Sequence, residues 1–164
     1  MGLICVFVVF MVGCGGSSPP PIKYSELKEN LISFKKEQFE VEKRIIQGFI
    51  EREGGEWKFN GKIFYRYVKR GKKRVSGSSN HHILYYSIYL LDGAVCDSVY
   101  SKTPYRWEMG RSAEPPALDL IFEVANPGDC LLAVIPSHYG YGVPGKPPCI
   151  PPNTPILYKI CIIE

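Results

Sequence analysis

The sequence predicts an α+β domain: an antiparallel sheet with one short helix against it and a long helix ahead of it. Three observations carry this expectation. The dipeptides Asn60-Gly61 and Asp92-Gly93 each stand between apolar-aromatic runs, the short-range signal for a two-residue hairpin turn. Two stretches near the middle and the end of the chain alternate apolar residues with a period of two. Residues 25–52 instead interleave Leu27, Leu31, Phe34, Ile45 and Phe49 with Lys and Glu near the spacing of one helical face.

Taken in order, the chain opens on residues 3–12, a continuous apolar run with no charged residue anywhere before Cys14. The run is shorter than the roughly 20 residues a membrane-crossing helix needs, and its length fits the core of a secretory signal peptide. Met11-Val12-Gly13-Cys14 resembles a bacterial lipobox, with Met11 where leucine is preferred. This resemblance implies cleavage before a lipidated Cys14 and attachment to a membrane of the cell envelope. The expected organisation is a lipoprotein signal peptide over 1–13, a tether over 14–24, a helical segment over 25–55 and the main domain over 56–164. The tether follows from Gly15, Gly16, Ser17 and Ser18, which give slack, and from Pro19, Pro20 and Pro21, which give reach. Gly54-Gly55 stops the helix.

Strands begin after Glu56. In residues 82–91 one parity collects Leu84, Tyr86, Ile88 and Leu90, so Tyr86 is expected to face the interior. In the last strand Ile156, Tyr158, Ile160 and Ile162 share a face, which turns Tyr158 inward as well. A short helix is expected over 117–124, with Leu118, Ile121 and Phe122 on one side and Pro115-Pro116 ahead of it.

The chain has 164 residues and a net charge of +4. About 150 residues remain after the expected cleavage, enough for one compact domain. The basic run Lys69-Arg70-Gly71-Lys72-Lys73-Arg74 is read as a solvated loop, and no nucleic-acid partner is expected of an exported lipoprotein. No metal site or cofactor is expected. His81 and His82 point to opposite faces of a strand, and the cysteine spacings match no zinc pattern.

The last third carries the chemistry. Pro136-Ser137-His138-Tyr139-Gly140-Tyr141-Gly142 sets a tyrosine on either side of a glycine, and Ile150-Pro151-Pro152-Asn153-Thr154-Pro155 opens the final strand. Together they resemble the carboxy-terminal signature of FKBP-type peptidyl-prolyl isomerases. Leu90-Leu91-Asp92-Gly93-Ala94-Val95-Cys96-Asp97-Ser98 is similar to that family's hairpin, Tyr85-Tyr86 to its strand ending in a pocket tyrosine, and Pro104-Tyr105 to its proline-aromatic pair. The resemblance covers about residues 63–164. The preceding helix, the aromatic run from Trp57 to Tyr67 and Asn153-Thr154-Pro155 are similar to the lipoprotein branch associated with gliding motility in Bacteroidetes-type bacteria.

The resemblance implies an FKBP-like fold and a membrane-anchored cis-trans isomerase acting on proline-containing exported polypeptides, with no cofactor. It implies Tyr86, Asp97 and Tyr141 as catalytic residues, the Tyr141 hydroxyl meeting a substrate carbonyl. Cys96, Tyr105, Leu118, Ile150 and Tyr158 would line the substrate pocket. The pattern is broken where Cys96 and Leu118 replace aromatics and where Lys146 stands at a loop position often held by histidine. The replaced aromatics point to weak activity, or to a non-catalytic binding module or accessory lipoprotein of an envelope machine. Cys130 and Cys161 fall in strands that the family pairs, so a disulfide between them and two buried free thiols are equal expectations.

Overall fold

The computed structural model describes residues 23–71, 81–99, 103–108 and 116–163. The expected signal peptide, Cys14 and the tether lie outside these residues, except Lys23 and Tyr24. The elements in chain order are α1 (Tyr24–Glu53), β1 (Lys58–Phe59), β2 (Phe64–Lys69), β3 (His81–Leu90), β4 (Val95–Ser98), β5 (Tyr105–Glu108), α2 (Ala117–Phe122), β6 (Cys130–Ile135) and β7 (Ile156–Ile162). A single 3₁₀ turn, Ser137–Tyr139, follows β6.

The strands form one antiparallel sheet in the order β1-β2-β6-β7-β3-β4, with β5 also pairing β3. This is the α+β architecture that the sequence predicts. Both marked turns form where expected, but each is longer than two residues. Phe59 pairs with Phe64 across residues 60–63, because the Asn60 side-chain oxygen accepts from the backbone N–H groups of Lys62 and Ile63 at 3.0 and 2.9 Å. The second turn closes through Leu90 N–H to Ala94 C=O at 2.9 Å, with Gly93 at φ 99°.

The chain divides into two compact units, Met1–Lys36 and Glu37–Glu164, so the break falls within α1. In the first unit every described residue is exposed, including Leu27, Leu31 and Phe34. In the second unit α1 buries Glu42, Ile46 and Phe49, an i, i+4, i+7 stripe. The stripe suggested by the sequence is therefore corrected: Ile45 is 49 % exposed and only Phe49 of that set is buried. At 100° per residue, Ile45 and Ile46 cannot share a packed face, and Ile46 takes the inner place. α1 ends at Gly54, whose φ of 59° needs a left-handed residue and whose N–H bonds Ile50 C=O at 3.0 Å.

Strand alternation divides the core between the two faces of the sheet. Leu84, Tyr86 and Ile88 of β3, Leu131, Ala133 and Ile135 of β6, and Ile156, Tyr158, Ile160 and Ile162 of β7 pack in one cluster with Ala117, Leu118, Leu120 and Ile121. The opposite parity supplies Val134, which packs with Ile46 and Phe49 of α1, while Trp57, Phe64 and Leu157 border them. α2 is shorter than the sequence implies, stopping at Phe122, and the Tyr67 hydroxyl donates to Val124 C=O just beyond it.

The four described cysteines make two disulfides, Cys130–Cys161 and Cys96–Cys149. Cys130 and Cys161 are directly paired residues of β6 and β7, so the bridge links adjacent strands, the first of the two expectations.

Ile160 is fully buried at the centre of β7. Ile160→Ala is expected to lower stability by about 2–5 kcal/mol in urea unfolding, through lost burial and the cavity left behind. Val143→Ala, at a 73 % exposed position, should stay within about 0.5 kcal/mol. Equal effects would show that β7 does not carry the core.

Candidate functional site

Tyr86 and Tyr158 approach each other because of register. β3 pairs with β7 so that Tyr86 faces Ile160 and Ile88 faces Tyr158, which makes the two tyrosines diagonal neighbours with ring centroids 5.9 Å apart. Tyr105 of β5 closes on Tyr86 edge-to-face at 5.6 Å. Leu118 enters from α2 and Ile150 from the loop before β7, both 2 % exposed and both in the same cluster. Tyr139, Tyr141, Cys96 and Tyr105 are partly buried against it.

β4 brings Asp97 and Cys96. Asp97 pairs with Ile88, and the register then shifts so that Val95 pairs with Tyr89, leaving Cys96 as the extra residue of a bulge. Bulges re-aim side chains, and here Cys96 is bonded to Cys149, four residues before Asn153. The bridge ties the loop holding Ile150 to the strand holding Asp97. The same loop is closed by reciprocal backbone bonds between Lys146 and Ile150 at 2.8 and 2.9 Å. Gly145 permits that closure, since its φ is 62° and a Cβ there would lie 2.3 Å from the Ile150 carbonyl oxygen.

The loop's main polar contact is a lysine. Lys146 Nζ donates to Asp97 Oδ2 at 2.8 Å and to Tyr141 Oη at 3.3 Å, and lies 5.2 Å from the Tyr141 ring centroid. Burial acts to lower the Lys146 pKa, but the hydrogen bonds to Asp97 and Tyr141 outweigh it and hold the ammonium above the ordinary lysine range. A raised folded-state value gives stability that is fully present below the unfolded pKa of about 10.4 and is lost only as pH rises through the folded value. The cation is therefore intact throughout the neutral range.

The loop is anchored at its other end by α1. The Glu42 carboxylate, buried, accepts from the Ser137 backbone N–H and from Ser137 Oγ at 2.9 Å, fixing the 3₁₀ turn from which Tyr139 and Tyr141 follow. Gly142 N–H then bonds Ser137 C=O at 2.8 Å, and Asn153 N–H bonds Gly142 C=O at 2.8 Å.

The eight residues named from the sequence lie in or beside the main hydrophobic core. Tyr86, Cys96, Tyr105, Leu118, Tyr141, Ile150 and Tyr158 share the cluster, and Asp97 joins through Lys146. Lys146, Cys149 and Glu42 were not among them. An acidic residue at i, i+4, i+7 spacing with Ile46 and Phe49 was the available signal for Glu42; Lys146 was marked only as a departure from the family pattern, and nothing local marks Cys149. His82, at the start of β3, stacks on Phe122 with ring centroids 4.1 Å apart. Among the described residues no group of three His, Cys, Asp or Glu could hold a metal ion.

A cavity of about 360 Å³ lies elsewhere, lined by Phe39, Ile46, Phe59, Phe64, Pro136 and Tyr139 among others. None of the eight residues lines it. The aromatic cluster beside Asp97 is taken as the candidate site because it holds the residues that the sequence motifs single out, whereas the cavity, though it also joins apolar walls to Glu42, Lys43 and Lys62, holds none of them.

The model of the FKBP-type peptidyl-prolyl cis-trans isomerase family matches residues 76–163. FK506-binding protein 59 of Drosophila melanogaster is 32 % identical over 79 residues, 47 % of this chain and 18 % of that protein. The peptidyl-prolyl cis-trans isomerase FKBP11 of Bos taurus is 30 % identical over 80 residues, 49 % of this chain and 39 % of that protein. These matches span well under half of each relative's length. A crystal structure of a peptidyl-prolyl cis-trans isomerase from Pseudomonas syringae superposes with a TM-score of 0.64 at 21 % identity, covering 79 % of this chain and 93 % of that one, which shows the fold.

Glu42→Gln keeps the shape but leaves one Ser137 donor facing an amide N–H. Charge-assisted bonds of this kind contribute about 1.5–3 kcal/mol, and a loss near that size is expected in urea unfolding. Glu40→Gln, exposed on the same helix, should change little. Matching values for the two variants would mean that the carboxylate does not hold the turn.

Proposed function

This chain belongs to the FKBP-type peptidyl-prolyl cis-trans isomerase family, and we propose that it catalyses rotation about Xaa-Pro bonds of exported polypeptides from a membrane anchor. The observation that carries the catalytic part is the gathering of Tyr86, Tyr105, Leu118, Ile150 and Tyr158 in one apolar cluster beside Asp97 and Tyr141.

The chemistry asks for no nucleophile. A planar amide resists rotation with a barrier of about 18–20 kcal/mol because rotation breaks its resonance. The twisted amide has lost charge separation, so a dry apolar wall favours it over the planar form. Each tenfold of acceleration requires about 1.4 kcal/mol of such preference. Tyr86, Tyr105 and Tyr158 offer aromatic surface to the pyrrolidine ring, with Leu118 and Ile150 completing the walls. The Tyr141 hydroxyl meets the substrate carbonyl, and Asp97 holds the loop through Lys146. Leu118 and Cys96 present less aromatic surface than the family pattern, which makes the enzyme a weak one.

Attachment rests on Met11-Val12-Gly13-Cys14 and the Gly-Ser-Pro tether behind it. Lipid on Cys14 places the domain in the cell envelope, within reach of polypeptides that fold after export. The Trp57 to Tyr67 run and Asn153-Thr154-Pro155 support placing it in the gliding-motility lipoprotein branch. A second reading, a binding module without catalysis, is favoured by the Lys146–Asp97 pair standing at the loop and by the two replaced aromatics.

Two measurements separate these readings. Exchange NMR on an Xaa-Pro peptide with catalytic amounts of the chain should show faster cis-trans exchange, and Tyr141→Phe should slow it several-fold, the value of one hydrogen bond of about 0.5–1.5 kcal/mol. Binding without faster exchange would leave only the binding module. Cys14→Ser should move the protein from the membrane pellet to the soluble fraction or leave it uncleaved, since stable anchoring takes more than one acyl chain. A variant still processed and membrane-bound would remove the anchor from Cys14.

A further inference from the structure

Lys146 is the one cation among the described residues of the site, and its position is fixed from three directions. Two of its three N–H donors are taken by Asp97 Oδ2 and Tyr141 Oη. Its backbone is locked to Ile150, and three residues on, Cys149 is bonded to Cys96 beside Asp97. A lysine side chain free in solvent loses rotamer freedom when a ligand fixes it. Lys146 has met most of that loss already. Its side chain remains 39 % exposed. Its side-chain contacts are Asp97 and Tyr141, so Asp97 is the only carboxylate in contact with it among the described residues.

We infer that Lys146 is a specificity-determining residue that selects prolyl bonds flanked by an acidic side chain, its third N–H receiving the substrate carboxylate. The inference rests on the isomerase reading of the site and deepens it by naming the substrate class. Asp97 offsets the charge of the ammonium at long range but does not occupy its remaining donor. A carboxylate arriving next to the proline therefore meets a placed cation, and an ammonium arriving there meets repulsion at short range. An unopposed pair of unit charges about 4 Å apart gives a preference of about fivefold in water, and repulsion from the Asp97 carboxylate lowers it to about threefold. Because the Lys146 pKa is raised, this preference holds without change through neutral pH.

The test uses proline peptides carrying Glu, Gln or Lys immediately before or immediately after the proline, with the catalysed exchange rate and the Kd both read by NMR. The chain is expected to favour Glu over Gln by about threefold or more, and Gln over Lys by a similar factor, at one or both positions. Added salt at about 1 M should shrink the difference, since the ammonium is partly exposed. Lys146→Met should bring the three peptides together, and Lys146→Glu should reverse their order. Circular dichroism reports whether either variant keeps its fold, and the salt series on the unaltered chain decides the matter if one does not. Equal rates and equal Kd values for Glu, Gln and Lys on the unaltered chain overturn the inference while leaving catalysis intact. Tighter Glu binding with no exchange on any peptide removes the isomerase reading and supports the charge selection. No binding and no exchange on any peptide overturns both.

Discussion

β7 is the strand on which the rest of the structure depends. It lies between β3 and β6, and its inward residues Ile156, Tyr158, Ile160 and Ile162 touch both neighbours' core positions. A slip of one residue against either neighbour would turn all four outward and bring Leu157 and Lys159 in. The pairing of Cys130 with Cys161 makes such a slip against β6 covalently impossible once the disulfide has formed. Register against β3 then sets the distance between Tyr86 and Tyr158, so the aromatic site follows from sheet pairing rather than from the loop alone.

The loop between β6 and β7 adds the polar groups, and it is held at both ends. Glu42 grips its start through Ser137, and the Cys96–Cys149 bridge grips its end. Between them the loop carries Tyr139, Tyr141 and Lys146 and returns through Ile150 to the core. Pre-organisation of this kind suits the proposed reaction, which asks for an apolar wall and a placed hydroxyl. On the proposed mechanism, a hydroxyl held in place meets the substrate carbonyl without a further ordering cost.

Much of this was legible in the sequence because it is local. Period-two alternation in β3 and β7 turned Tyr86 and Tyr158 inward correctly, and the Asn-Gly and Asp-Gly turns were located within a residue or two. What was illegible is long-range. The Lys146 to Asp97 contact joins residues 49 apart, the Cys96–Cys149 bridge 53 apart and the Glu42 clamp 95 apart. No periodicity records such pairings. Cys96 also sits in a bulge, where parity fails, so its direction could not follow from alternation. The α1 stripe was misjudged for a different reason: apolar residues occur on several sides of that helix, and only packing against Val134 and Trp57 selects Ile46 over Ile45.

Two regions compete for a ligand on this domain, the aromatic cluster beside Asp97 and the cavity lined by Phe39, Phe59 and Phe64. The account requires the first. Titration of an Xaa-Pro peptide into isotope-labelled protein, followed by amide chemical shifts, distinguishes them directly. The largest shifts are expected at Tyr86, Asp97, Tyr105, Tyr141, Ile150 and Tyr158, with Ile46, Phe59 and Phe64 unmoved. Shifts concentrated at the second set, with the first unmoved, would contradict the account.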